Sequence, residues 1–213
     1  MPQSLTLIAT LAAAVLLCFA LRRAAWQRLA DREAQAVFGL AIVALVAMRL
    51  MRVELLPGMS VHLLGASIVA LMFGWRLALL ATALAVGLVA VVQGSQWWPA
   101  ALEFWISAAL PVLWTTAALD WAQRKLPLHF FVYVFVNAFA AGALALAWVQ
   151  LSRWGMLLAL GVPASERLHD SLLLTIPAMM FAEGFTTGAL LTLFVAYRPQ
   201  WVATFHDADY LGS

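Results

Sequence analysis

PGMSVHLLGASIVALMFG, residues 57–74, decides the fold. The apolar run from Val61 to Phe73 falls short of the roughly 20 residues a spanning helix needs. Either the helix extends back through Gly58 to Ser60, or it begins as a broken helix that lines a cavity. Irregular backbone at membrane depth is tolerated only where protein or water covers it. His62 stands at the mouth of the run, and small Gly65, Ala66 and Ser67 follow within one turn. A segment that only crossed lipid would need no imidazole there. Met59, three residues before His62, joins it in pointing to a polar or metal-binding floor at a membrane entrance.

Working outward, the whole chain is 65% hydrophobic and 10% charged, where soluble domains carry roughly 25% charged residues. Too little polar surface exists to face water on all sides. The expectation is an all-α integral membrane protein, residues 1–213 forming a single transmembrane domain. Seven spans are expected: about Leu5–Leu21, Ala34–Leu50, Val61–Phe73, Trp75–Val92, Ala101–Trp121, His129–Leu151 and Leu172–Tyr197. The N-terminus lacks a positive side chain, and its apolar run ends in Arg22 and Arg23 instead of a small-residue cleavage site, so it reads as a span and not a signal peptide. Cys18, inside the first span, is expected to be an inert packing residue. The net charge of +2 comes with no basic stripe interleaved with aromatics, which excludes nucleic acid as a partner class.

Charge asymmetry sets the expected orientation. Loops after spans one, three and five, with the C-terminal tail, carry Arg22, Arg23, Arg28, Arg32, Arg76, Arg124, Lys125 and Arg198; the opposite side carries Arg49, Arg52, Arg153 and Arg167. The richer side is cytoplasmic by the positive-inside rule. That places the N-terminus outside, the C-terminus inside and His62 at the outer face, with Trp97 and Trp98 as an interface belt. Residues 22–34 are expected to form a short helix carrying Trp26 and Leu29 on one side, or a solvated connector with a basic anchor.

Several polar residues inside the apolar spans are candidates for function. Glu183 lies near the middle of the last span, where a carboxylate is costly unless paired or wet. It is either a functional acid or a carboxyl bonded across a helix pair. Gly184 and Gly188 would let another helix approach closely, and Pro177 can open the helix ahead of the acid. His62 is either a hydrogen-bonded structural residue or a ligand for nickel, cobalt, copper or zinc. Met48, Met51, Met72, Met179 and Met180 read as packing, with Met59 the methionine worth testing as a ligand. Glu103 and Trp105 start the fifth span and could line an entrance, and Asn137 should bond a neighbouring helix. His129, His169 and His206 lie at span ends or in the tail. No phosphate-binding loop, His-Glu-x-x-His helix or nucleophile elbow occurs, and no paired carboxylates suit general acid–base work, so no enzyme is expected.

The stretch SVHLLGASIVALMFGWRLALLATALAVGLVAVVQG, residues 60–94, resembles the CbiM/NikM family, and so does EGFTTGALLTLFVAYRPQW, residues 183–201. That family supplies the membrane substrate-binding permeases of nickel and cobalt energy-coupling-factor (ECF) transporters of the ABC class. The resemblance covers roughly residues 57–201. It implies a seven-helix bundle in the inner membrane, a transmembrane coupling subunit, cytoplasmic ATPases, and no permanently bound cofactor. The cargo would be a transition metal ion such as nickel, cobalt or copper, with His62 as one ligand. The family begins Met-His and uses that N-terminal segment as nitrogen ligands; here position two is Pro2, so the planar four-nitrogen nickel site cannot be assembled. His62 with Met59, Glu183 or Glu103 would make a different site. The alternative is a membrane scaffold or assembly subunit that no longer transports and aids metal delivery to a metalloenzyme.

Overall fold

The structure, a computed structural model, describes residues 3–56, 59–94, 97–159, 166–206 and 210. Helix α1 (Gln3–Arg23) leads through a 3-10 turn at Trp26–Leu29 into α2 (Arg32–Leu50). The turn is the connector alternative and not the short helix, and Trp26 folds back to donate its indole N–H to Leu21 O at 2.9 Å. Asp31 starts α2 by accepting the Ala34 N–H at 2.6 Å, which satisfies one of the free donors of the first turn.

A small antiparallel hairpin follows, β1 (Val53–Leu56) and β2 (Met59–Val61), with Val53 opposite Val61 and Glu54 opposite Ser60. Then come α3 (Ala66–Phe73) and α4 (Trp75–Val92). Helix α5 (Trp97–Phe104) continues through a π turn at Trp105–Ala109 into α6 (Leu110–Lys125). Helix α7 (Phe130–Val132) continues through a π segment at Tyr133–Ala140 into α8 (Ala141–Ala159). Helix α9 (Glu166–Tyr197) runs unbroken through Pro177, which therefore does not open it.

Among the described residues, six helical stretches are long and apolar enough to cross a membrane: Thr6–Arg23, Arg32–Leu50, Trp75–Val92, Ala100–Lys125, Phe130–Met156 and Thr175–Tyr197. The expected span Val61–Phe73 is not among them. Its proposed extension through Ser60 is strand, so the broken-helix alternative is the one adopted. The reason is conformational: Gly65 at φ +61° and Gly74 at φ +79° occupy the left-handed region at the two ends of α3. The eight residues between them reach only about 12 Å.

Polarity is arranged for lipid. Val15 (70% exposed), Leu40 and Val91 point outward, while Glu183 (1%), Asn137, Thr82 and Thr115 point inward. Together with the six apolar helices, this makes the chain a multi-pass membrane protein. Cys18 lies on the exposed face of α1 and not in the packing expected for it. Helix α9 packs most extensively along α8 and the π segment before it. Asn137 sits buried in that π segment, and its Oδ1 finds no partner among the described residues.

All of α3 is buried, consistent with a helix apolar on every side. Its first turn is tied to α6 by the Thr115 hydroxyl, which donates to Ser67 Oγ at 2.9 Å. Its last carbonyls are met by the segment after α9: Ala203 N–H donates to Met72 O and the Thr204 hydroxyl to Leu71 O, each at 2.8 Å. Tyr133 hydrogen-bonds Thr204 in turn, and its ring packs with Phe205 and Tyr210. The C-terminal segment thus closes the end of α3 remote from His62.

Candidate functional site

The site is built on the non-helical segment His62–Gly65 that feeds α3. A helix that begins inside the bundle leaves backbone donors that water cannot reach. Glu183 of α9 supplies the acceptors. Its Oε2 accepts the Leu64 N–H at 2.7 Å and its Oε1 accepts the Gly65 N–H at 3.0 Å. A carboxylate facing the positive N-terminal end of a helix is also favoured electrostatically. Gly65 is needed twice over here, because a Cβ would add a 2.9 Å contact with Met48 Sδ to the positive φ.

His62, two residues earlier, is 6% exposed. Its Nδ1 lies 2.9 Å from Leu63 O. A carbonyl only accepts, so Nδ1 carries a proton and Nε2 is the ring nitrogen left to face the rest of the site. That nitrogen faces a charged cluster. Glu103 Oε1 lies 3.9 Å from Nε2, and Arg153 Nη2 lies 3.4 Å from it. Arg153 Nη2 also donates to Glu103 Oε1 at 2.5 Å.

Arg49 approaches the same oxygen at 3.5 Å while donating to Ser107 Oγ at 2.7 Å and Ser107 O at 2.8 Å. The Ser107 hydroxyl, in the π turn, donates to the Glu103 backbone carbonyl at 2.8 Å. Arg49 and Arg153 are 4% and 8% exposed, whereas the Glu103 side chain keeps 37% of its surface open. The carboxylate is therefore the accessible edge of an otherwise buried cluster.

The structure brings two of the four candidate ligands together, His62 and Glu103. Glu183 is spent on the backbone N–H groups of the same segment. The Met59 side chain lies outside the described residues, although its backbone opens β2. Among the described residues, no group of three or more His, Cys, Asp and Glu side chains gathers to hold a metal ion. Trp105 anchors to α1, its indole N–H donating to Ala9 O at 2.9 Å. His129 caps α7 and His206 is exposed.

Arg49, Arg153 and Ser107 were missed as site residues. Both arginines were counted as loop charges, yet each lies on a helix and turns into the bundle. The signal was present: a cation in the last turn of one span and another near the end of a second, both facing an acid at the start of a third. Ionisable groups within a membrane pair with one another.

What the geometry offers chemically is two donors, an imidazole Nε2 and a carboxylate oxygen. They are spaced so that one ion at about 2.0–2.2 Å from each could bridge them. A guanidinium nitrogen now contacts both. A family model, CbiM, described as the cobalt uptake substrate-specific transmembrane region, matches residues 1–201. The match extends the likeness over α1 and α2. No curated protein and no solved structure matches the chain.

Proposed function

The chain belongs to the CbiM family of cobalt-uptake membrane regions, and from that premise we propose that it is the membrane substrate-binding subunit of an energy-coupling-factor importer. Its cargo is a transition metal ion of the cobalt and nickel class. The observation that carries this reading is the His62 segment: a buried imidazole, its Nδ1 turned to the Leu63 carbonyl, sets its Nε2 3.9 Å from the partly open Glu103 carboxylate, two donor atoms side by side. Neutral imidazole with one carboxylate oxygen suits a borderline divalent ion.

His62 and Glu103 would receive the ion, and Glu183 would hold the receiving segment in shape. The N-terminus lies outside and the C-terminus in the cytoplasm of a plasma-membrane protein. With Arg49 and Arg153 buried in the cluster, the outer side keeps Arg52 and Arg167 against eight cations on the inner side, which strengthens the charge asymmetry. Energy comes from a transmembrane coupling subunit and cytoplasmic ATPases, since the chain has no phosphate-binding loop of its own.

A second reading, a scaffold subunit that no longer transports, is favoured by the guanidinium lying on His62 Nε2. Uptake of radiolabelled cobalt separates the two. Deleting the gene from its native host is expected to abolish the saturable component. The wild-type gene should restore it, and His62→Ala should not. Unchanged uptake after deletion would overturn the transport reading and favour the scaffold.

A further inference from the structure

We propose that a lateral groove between α2 and α9 holds one acyl chain of an anionic phospholipid, with the lipid phosphate at Arg28. The floor of the groove is α3, through Ile68 and Val69, and its walls are α2 from Val37 to Met48 and α9 at Leu190 and Phe194. Apart from the Trp201 indole at one end, the lining is apolar side chains and Gly65. Leu40, on the rim, is 68% exposed. The α2 wall from Val37 to Met48 runs about 16 Å along the helix. One leaflet of a hydrocarbon core about 30 Å thick has nearly that depth. The groove encloses about 640 Å³ with its open mouth included. A helix 10 Å across would fill roughly 1,200 Å³ over the same length. A partner helix could only cover this groove, whereas an acyl chain can lie in it.

The end of the groove selects the headgroup. Val37, Met72 and Trp201 also line a second cavity, which adds the exposed Arg28, Gln200 and His206. The apolar channel therefore runs on into a polar one where α2 begins and α9 ends. Trp201 bridges the two helices there, its indole N–H donating to Glu33 Oε1 at 2.8 Å. The nearby acids are engaged: Arg198 lies 4.0 Å from Glu33, and Asp31 accepts the Ala34 N–H. Arg28 makes no ion pair among the described residues. Its guanidinium fork matches a phosphate, and a tryptophan beside it suits the headgroup level. In the orientation proposed above this is the cytoplasmic end, so the lipid comes from the inner leaflet.

The other end of the groove reaches Met48 and Gly65. Gly65 is the residue whose N–H Glu183 holds. A seated chain thus braces the segment that carries His62 from behind, and its binding stabilises the fold by mass action.

The test uses purified full-length protein in detergent, titrated with dioleoyl phosphatidylglycerol or dioleoyl phosphatidylcholine, with retained lipid counted by native mass spectrometry and unfolding followed by heat. The wild type is expected to retain one phosphatidylglycerol in preference to phosphatidylcholine and to melt several degrees higher with it. Glycerol phosphate, which has no chains, should give no shift. Arg28→Gln, at an exposed position, should weaken phosphatidylglycerol about fivefold. Arg124→Gln removes the same charge away from the groove and should leave retention unchanged. Ala44→Trp fills the groove from its open side and should abolish retention while melting like wild type in detergent alone. Equal retention of the two lipids, equal losses in Arg28→Gln and Arg124→Gln, or full retention by Ala44→Trp would overturn the proposal. So would a wild type that retains neither lipid, which would leave the groove to a partner helix.

Discussion

Glu183→Gln is expected to unfold several degrees below wild type in detergent and to bind cobalt at least tenfold more weakly. Both carboxylate oxygens are in use, one on the Leu64 N–H and one on the Gly65 N–H. An amide keeps one acceptor and turns an NH2 group toward the other backbone donor. That leaves a buried N–H unpaired at a position 1% exposed and removes a charge-assisted bond. The combined cost is on the order of 3 kcal/mol. His62 is two residues from this clamp, so the loss reaches the imidazole through the backbone. Glu183→Asp keeps both acceptors on a shorter arm and should fall between the two. A Gln variant with wild-type melting and wild-type cobalt affinity would show that the clamp does not position His62.

The second large effect concerns how closely α9 approaches its neighbour. A Cβ on Gly184 would lie 2.7 Å from the backbone oxygen of Phe139 and 3.1 Å from Ala143 Cβ. A backbone oxygen in a helix cannot step aside alone, so the two helices would have to separate. A Cβ on Gly188 would make only ordinary contacts, the nearest at 3.5 Å to Phe139 Cβ. Helices in lipid associate through such close packing, without a hydrophobic drive between them. Gly184→Ala is therefore expected to cost about 2–3 kcal/mol, in the range of overpacked cores. Gly188→Ala should stay within about 1 kcal/mol of wild type by the same measure. Thermal unfolding of the two variants side by side checks this, and equal losses would contradict it. Because Gly184 adjoins Glu183, the first variant should also weaken cobalt binding.

Gly184 and Gly188 show how far the sequence could be read. Their four-residue spacing identified a face for close approach, but only coordinates separate the one that is required from the one that tolerates a side chain. The class of the fold was legible from composition and run length, because an apolar chain this poor in charge belongs in lipid, and apolar runs approaching 20 residues satisfy their backbone there as helices. The broken helix was half legible. The run at Val61–Phe73 was visibly too short, yet the positive φ at Gly65 and Gly74 that fixes its ends depends on the surrounding packing.

His62 and Glu103 were legible as candidates because each is polar at the edge of an apolar span. Arg49 and Arg153 have the same character, but counting them as orientation signals hid them. Their role appears only when three distant spans are brought together in space. Glu183 stood out as an intramembrane acid. Its partners, however, are backbone N–H groups, which leave no mark in a side-chain pattern.

The most direct measurement is the metal content of the purified protein, by mass spectrometry, after loading with cobalt, nickel, copper and zinc in turn. His62→Ala and Glu103→Gln would be treated in parallel. One equivalent of a single divalent metal in the wild type, lost in His62→Ala and reduced in Glu103→Gln, is the expected result. Retention of no metal by the wild type, or equal retention by His62→Ala, would contradict a cargo site built on the His62 segment.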